Sequence, residues 1–143
     1  MNAKRYDFAD EGATVIVPDQ PKKMRAAKRP LGKLEEMKSK TGVFKPWRLV
    51  FNFEMEDEDN PGEYVSEFDE PIELRIRYTR GDIEKAEKAS KQLRIGYWDG
   101  SDWVVFSEEK HRLKQVADSD AQSGGELVVQ LSSWSDPPIG IGI

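Results

Sequence analysis

Two tryptophans that flank a predicted turn, Trp98 and Trp103, carry the clearest ligand-binding chemistry in the sequence. Flat indole rings offer a large contact area, and sugar-binding β-sandwiches expose such rings to stack on a ligand. Both residues also lie in alternating strand patterns, where large aromatic side chains cover a sheet or fill a core. We therefore favour an architectural role for both and keep ligand stacking as the alternative.

A second candidate for binding is a basic segment, residues 22–48. It holds ten Lys and Arg against Glu35 and Glu36, a net charge of +8, which leaves −13 for the rest of a chain whose total is −5. Such a segment indicates association, either with the chain's own acidic surface or with a partner protein. Nucleic acid is less favoured, because the chain is acidic overall and no aromatic residue lies between Phe8 and Phe44 to stack on bases. The candidate partner-binding residues are Lys22, Lys23, Arg25, Lys28, Arg29 and Lys33.

Residue types suited to catalysis or metal binding are scarce. The chain has no cysteine, which excludes a disulfide framework, a thiolate zinc site and a cysteine nucleophile. The single histidine, His111, lies in a polar run and is predicted to be a solvated loop residue. The acidic turn at 54–63 has Pro61 where a calcium loop needs an oxygen ligand and is followed by Phe68 where it needs a glutamate. We expect no enzyme activity, no metal and no cofactor.

A β-rich fold must position these residues. Period-two alternation and short apolar runs predict strands at 13–17, 47–55, 72–78, 126–135 and 139–143. A short surface helix is predicted after Gly81, with Asp82 as its N-cap. Residues 19–45 are predicted to be a long irregular basic excursion. We expect one domain over 1–143, an all-β, antiparallel, immunoglobulin-like β-sandwich.

A β-hairpin is predicted over residues 93–106. If Asp99 and Gly100 are the central residues of a two-residue turn, Gly96 lies opposite Trp103 and leaves room for its indole ring. A four-residue loop, 99–102, would pair Trp98 with Trp103 instead, and the sequence leaves both registers open. In either register Asp99 and Asp102 are explained by turn chemistry rather than by ligand binding.

The segments 15–18, 68–78, 97–103 and 131–135, taken in order, resemble the β-sandwich domain of netrin receptors and ankyrins and its bacterial relatives. The resemblance implies a sandwich fold. Some members of that family cut themselves at a His-Phe-Ser sequence, where the serine attacks the preceding carbonyl with help from the histidine. The matching residues here are Ser133, Trp134 and Ser135, so the histidine is missing and self-cleavage is not expected.

These observations favour a non-enzymatic structural or protein-interaction module, acting as a subunit or adaptor in a larger assembly. The partner would be another protein or a second copy of the chain. A carbohydrate-binding module that uses exposed Trp and Tyr rings is the alternative. The sequence has no stretch long enough for a membrane span and no signal peptide at its start, and we slightly favour the cytoplasm.

Overall fold

The computed structural model describes residues 3–120, 123–135 and 137–143, and within these ranges twelve β-strands form three antiparallel sheets. The remaining residues of the predicted 1–143 domain lie outside the described part. The strands are β1 (Lys4–Phe8), β2 (Ala13–Val17), β3 (Met24–Lys28), β4 (Pro46–Phe51), β5 (Phe53–Asp57), β6 (Tyr64–Val65), β7 (Glu67–Thr79), β8 (Arg94–Trp98), β9 (Trp103–Val105), β10 (Lys114–Ala117), β11 (Gly124–Ser133) and β12 (Ile139–Gly142). The helices are α1 (Arg80–Lys88) and α2 (Glu108–His111), with 3₁₀ turns at Ala9–Glu11 and Leu34–Glu36. The prediction of an antiparallel, mostly β protein is confirmed.

The long strand β7 is the centre of a five-stranded sheet with the order β1-β2-β7-β11-β10. Ile72, Leu74 and Ile76 are fully buried on one face, while Glu73 and Arg75 are only partly covered on the other. This is the predicted alternation. It fixes which face of β7 points to the core, because a shift of one residue in the strand register would expose all three apolar side chains.

Two smaller sheets, β4-β12-β8-β9 and β3-β5-β6, meet at Asn52, which alone separates β4 from β5. The prediction of one strand over 47–55 was therefore wrong at this residue. The Asn52 side-chain amide donates to the Pro30 carbonyl at 2.9 Å, and the backbone carbonyl of Asn52 accepts from the Arg29 N–H at 2.9 Å. These two hydrogen bonds attach Asn52 to residues 29–30 at the point where the chain passes from the four-stranded sheet to the three-stranded sheet.

All three sheets contribute to one hydrophobic core. The rings of Phe51 and Phe53 stack with centroids 5.5 Å apart, and Phe53 stacks on Trp134 at 5.3 Å. The indole N–H of Trp134 donates to the Phe53 carbonyl at 3.0 Å, so its polar atom is satisfied inside the core. Each such buried ring stabilises the fold by about 1.5–3 kcal/mol relative to an exposed one.

The predicted irregular excursion at 19–45 contains a regular strand, β3, and the prediction was wrong there. Strand β3 pairs with β5, with Met24 opposite Asp57 and Lys28 opposite Phe53. Only Met24 is fully buried in β3 (2% exposed), because two alanines and two cations make up the rest. With so little apolar surface, the period-two pattern is too weak to recognise.

The hairpin adopts the four-residue loop. Trp98 pairs with Trp103 and Gly96 with Val105, so the register based on a two-residue turn was wrong. A Cβ on Gly96 would lie 2.8 Å from the Val104 carbonyl oxygen and 3.3 Å from the ring of Phe44, not against Trp103. The glycine against Trp103 is Gly140 of β12, where a Cβ would lie 2.9 Å from the indole.

Helix α1 begins one turn earlier than predicted, with Thr79 as its N-cap. Asp82, predicted to be the N-cap, is instead the third helical residue of a capping box and accepts from the Thr79 N–H at 2.8 Å. The same buried carboxylate accepts from the Trp47 indole at 2.8 Å and from Arg48 Nε at 3.1 Å. Burial alone raises the pKa of Asp82, but the bonds from Arg48, Thr79 and Trp47 outweigh it and lower the pKa to about 2. Asp82 thus ties α1 to β4.

Candidate functional site

Most of the predicted partner-binding cations contact carboxylates of this same chain. Lys22 Nζ lies 2.8 Å from Asp57, and Arg25 Nε lies 2.6 Å from Glu56. The other pairs are Lys23 with Asp19, Lys28 with Glu11 and Arg29 with Glu54. Lys33 is exposed. The positive charge of β3 is therefore held against the chain's own acidic surface, one of the two possibilities left open by the sequence.

Asp57 is the buried anchor of this ion-paired region (3% exposed). Its carboxylate accepts from Lys22, from the Asn60 amide at 3.2 Å and from the Asp59 N–H at 2.9 Å. These hydrogen bonds lower the pKa of Asp57 to about 2. The carboxylate at the centre of the acidic turn is thus engaged with protein donors. No group of three or more metal-ligating side chains occurs among the described residues.

The two candidate stacking residues have different environments. Trp103 is buried (3% exposed), and its indole N–H donates to the Met37 carbonyl at 2.6 Å. Its ring contacts Phe44 at a centroid distance of 5.6 Å. Trp98, its cross-strand partner, is only half-buried, and the two indoles lie 5.8 Å apart. Trp98 is therefore the ring that a ligand can reach.

Trp98 lies in an open groove of about 520 Å³, formed where the basic segment passes the hairpin tip. We call it the Trp98 groove. Its residues come from two segments more than fifty positions apart, and nothing in the sequence signals that they meet. They are Glu35, Glu36, Lys38, Ser39 and Lys40 on one side and Trp98, Gly100 and Ser101 on the other.

The hairpin tip holds both sides of the groove in place. The Asp102 carboxylate accepts from the backbone N–H groups of Lys40 and Thr41, each at 3.3 Å, and from that of Trp103 at 2.7 Å. The Asp99 carboxylate accepts from the Ser101 and Asp102 N–H groups, both at 2.8 Å. These bonds hold the pKa of each carboxyl below its ordinary value. The largest cause is the Trp103 N–H for Asp102 and the Asp102 N–H for Asp99. Both aspartates thus serve the turn, and Asp102 also fixes the basic segment.

The chemistry of the Trp98 groove is that of binding. An indole face, two hydroxyls, two carboxylates and two ammonium groups can stack, hydrogen-bond and form ion pairs. Among its described residues there is no histidine or cysteine, so the groove has no side chain of the type that most often transfers protons near pH 7.

His111 is not the solvated loop residue that was predicted. It is the last residue of α2, is half-buried, and packs edge-on against Phe106 at a centroid distance of 5.0 Å. Its Nδ1 accepts from the Ser107 N–H at 3.1 Å. Burial, together with the neighbouring Lys110 charge, lowers the pKa of His111 below its ordinary value. These contacts give the imidazole a packing role.

The three residues that match the self-cleavage sequence lie at the end of β11. Ser133 and Ser135 are exposed, and the intervening Trp134 is buried. The serines line a cleft of about 260 Å³ together with Glu67 and Tyr97. The described residues of the cleft lining include a carboxylate but no imidazole.

Comparisons of the chain with protein-family models, with curated proteins and with solved structures return no match. Among the described residues, no helix is long and apolar enough to cross a membrane.

Proposed function

We propose that the chain is a non-enzymatic protein-interaction module, an adaptor or assembly subunit that contacts its partner through the Trp98 groove. The observation that carries this proposal is the groove itself. Two distant segments are fastened to each other by Asp102 and by the Trp103–Met37 hydrogen bond. They form a preorganised surface around one accessible aromatic ring, and preorganisation lowers the entropic cost of binding.

The shape and charge of the groove favour an extended peptide segment of a partner protein. The groove is open to the surface and is not an enclosed cavity, so an extended chain can lie across it. Tryptophan is among the residues that contribute most to protein interfaces. Lys38 and Lys40 on one side, with Glu35 and Glu36 beside them, supply both charge signs for the flanking residues of a peptide.

We further infer that the fold is an immunoglobulin-like sandwich, like the domain of netrin receptors and ankyrins that the sequence resembles. The shared core of the five-stranded sheet and the two smaller sheets supports this inference. In such sandwiches the loops between strands form binding surfaces. The Trp98 groove lies at two such connections, residues 35–40 between β3 and β4 and the loop after β8 with Gly100 and Ser101, beside Trp98 at the end of β8.

The proposal is tested by selecting short random peptides on the immobilised chain and measuring their affinity for two variants. Trp98→Ala removes the accessible ring, and Tyr64→Ala removes an exposed ring (46% exposed) on the three-stranded sheet. We expect selected peptides to lose about tenfold or more in affinity with Trp98→Ala and little with Tyr64→Ala. Failure to enrich any peptide would contradict the function, and equal loss in both variants would contradict the site. Light scattering after size-exclusion chromatography shows whether the partner can be a second copy.

Carbohydrate binding is the second candidate, and a specific observation favours it. Trp98 shares the groove with the hydroxyls of Ser39 and Ser101 and with the carboxylates of Glu35 and Glu36. An aromatic face ringed by such groups can stack on a sugar and hydrogen-bond its hydroxyls. A glycan array distinguishes the two candidates. Signals that disappear with Trp98→Ala, together with no peptide enrichment, would replace the first proposal with this one.

A further inference from the structure

A cationic cleft lies on the outer face of the five-stranded sheet, apart from the Trp98 groove. Its volume is about 330 Å³, and it is lined by Pro71, Lys110, Arg112, Gln130 and Ser132. Gln130 and Ser132 alternate along β11 with the buried Val129 and Leu131, so they belong to the outer face. The end of α2 places the two cations over that face. Four polar side chains from two elements thus converge on one cavity.

Within the described part of the chain, the two cations of this cleft are not held in ion pairs, although Glu108 and Glu109 lie on the same short helix. Among the ion pairs of the described residues, none includes Lys110 or Arg112. Glu73, the cross-strand neighbour of Gln130, is engaged with Arg75 at 2.7 Å. The net charge of the whole chain is −5, so anions are not attracted by the molecule in general. An anion that binds in this cleft would therefore be attracted by the side chains that line it and not by the net charge of the chain.

The backbone at Arg112 also sets it apart. Arg112 is the C-cap of α2 and has the left-handed conformation, with φ 51° and ψ 39°. Glycine is the ordinary residue at a left-handed helix end, because a side chain makes that conformation costly. A residue with a long charged side chain stands there instead, and its side chain lines the cleft.

We propose that this cleft binds a phosphate group, either free or as the ester of a small molecule. The guanidinium and the ammonium match the double negative charge of a phosphomonoester, and the amide and the hydroxyl supply neutral hydrogen bonds to its remaining oxygens. The cleft volume lies at the lower end of the range for small-molecule sites, about 300–1,000 Å³. There is room for a small group beyond the phosphate, such as a glycerol. The proposal does not depend on the Trp98 groove, since the two sites share no residue.

Isothermal titration calorimetry of the full chain at low ionic strength tests this, with glycerol 3-phosphate, inorganic phosphate and uncharged glycerol as probes. The variants are Arg112→Gly, which suits the left-handed backbone and removes the guanidinium, and Lys110→Gln. Lys91→Gln is the control, because it makes the same change of charge at an exposed residue outside the cleft. Thermal unfolding of each variant verifies that it is folded.

We expect saturable binding of glycerol 3-phosphate and none of glycerol. Loss of one charge-assisted contact should weaken the affinity about tenfold or more in each cleft variant, and Lys91→Gln should bind like the unsubstituted chain. Inorganic phosphate binding as tightly as the ester would identify free phosphate as the ligand of the same site. An equal loss with Lys91→Gln, or no saturable binding of either phosphate, would overturn the proposal.

Discussion

The basic strand β3 and the cationic cleft beside α2 both carry positive charge, but their charges have different counterparts. In β3, Arg25 lies opposite Glu56 across the sheet, and the adjacent Lys22 reaches the buried Asp57. In the cleft, Lys110 and Arg112 face an amide and a hydroxyl. The cations in and beside β3 are thus paired within the fold, whereas Lys110 and Arg112 are in no ion pair of the described residues. Local charge density is a poor guide to binding, because the strand pairing decides where carboxylates lie.

The tryptophans divide in the same way. Trp103 and Trp98 are cross-strand partners, yet Trp103 is buried under the basic segment and Trp98 lies in the groove. The comparison therefore separates side chains that stabilise the fold from chemically identical ones that are accessible. Substitution of a side chain that stabilises the fold should lower the stability of the protein. Substitution of an accessible side chain should mainly lower its affinity for a ligand.

The largest difference is expected between the two tryptophans. Trp103→Ala should lower the free energy of unfolding by about 3–5 kcal/mol, because it leaves a cavity and an unpaired Met37 carbonyl. Trp98→Ala should cost about 1 kcal/mol, mainly the lost cross-strand ring contact. Urea denaturation followed by circular dichroism measures both. Equal costs would mean that Trp98 belongs to the core as much as Trp103 does.

A paired buried carboxylate should be the next most sensitive position. Asp82→Ala removes the acceptor for the Trp47 indole and the Arg48 guanidinium and should destabilise the fold by about 3 kcal/mol. Glu84→Ala, which breaks an exposed pair with Arg80 on the same helix, is the control and should cost about 0.5 kcal/mol or less. A cost for Asp82→Ala no greater than that of the control would show that the network contributes little.

Acid should weaken the fold through the same carboxylate. The pKa of Asp82 is about 2 in the folded chain against an ordinary value of 3.8, so the ionised form is favoured by folding. Its contribution, about 2 kcal/mol, is fully present above pH 4 and is lost as the pH falls toward 2. Urea unfolding at a series of pH values measures the loss. Asp82→Asn should reduce the pH dependence in this window but not abolish it, because Asp57 also has a pKa of about 2. An unchanged dependence would mean that Asp82 does not contribute to it.

The smallest effect is expected in the ion-paired strand β3. Arg25→Glu places two carboxylates opposite each other across the sheet and should lower Tm by a few degrees. Exchanging the pair, Arg25→Glu with Glu56→Arg, should restore most of the loss, as differential scanning calorimetry would show. A double variant no more stable than Arg25→Glu would mean that Arg25 does not interact with Glu56.

Strong alternation made part of this fold predictable. The period-two pattern of Ile72, Leu74 and Ile76 identified the central strand and its buried face, and the burial confirms it. Strand β3 was missed because its small and charged residues give almost no apolar pattern. The break at Asn52 was missed because hydrogen bonds to Pro30 and Arg29, distant in sequence, cause it.

The candidate sites were harder to predict than the strands. The sequence named Trp98 as a candidate stacking residue, which stays a prediction, and the residues at 35–40 that share its groove were assigned to an arm far from it. The cationic cleft was not anticipated, since Lys110 and Arg112 lie in an ordinary polar run. The sequence around α2 holds one relevant feature: Ser107 can cap the helix, and the residue after the helix is Arg112 where a glycine is common. This feature becomes informative only when the structure shows that Arg112 has the left-handed backbone conformation.

The sequence by itself determined the class of fold and the chemical inventory. Alternating apolar residues specify half-buried strands, and the absence of cysteine and the single histidine restrict what the side chains can do. Only the tertiary structure decided which cations and which tryptophan stay accessible. That outcome depends on cross-strand register and on contacts between distant segments, and neither is encoded in the local pattern of residues.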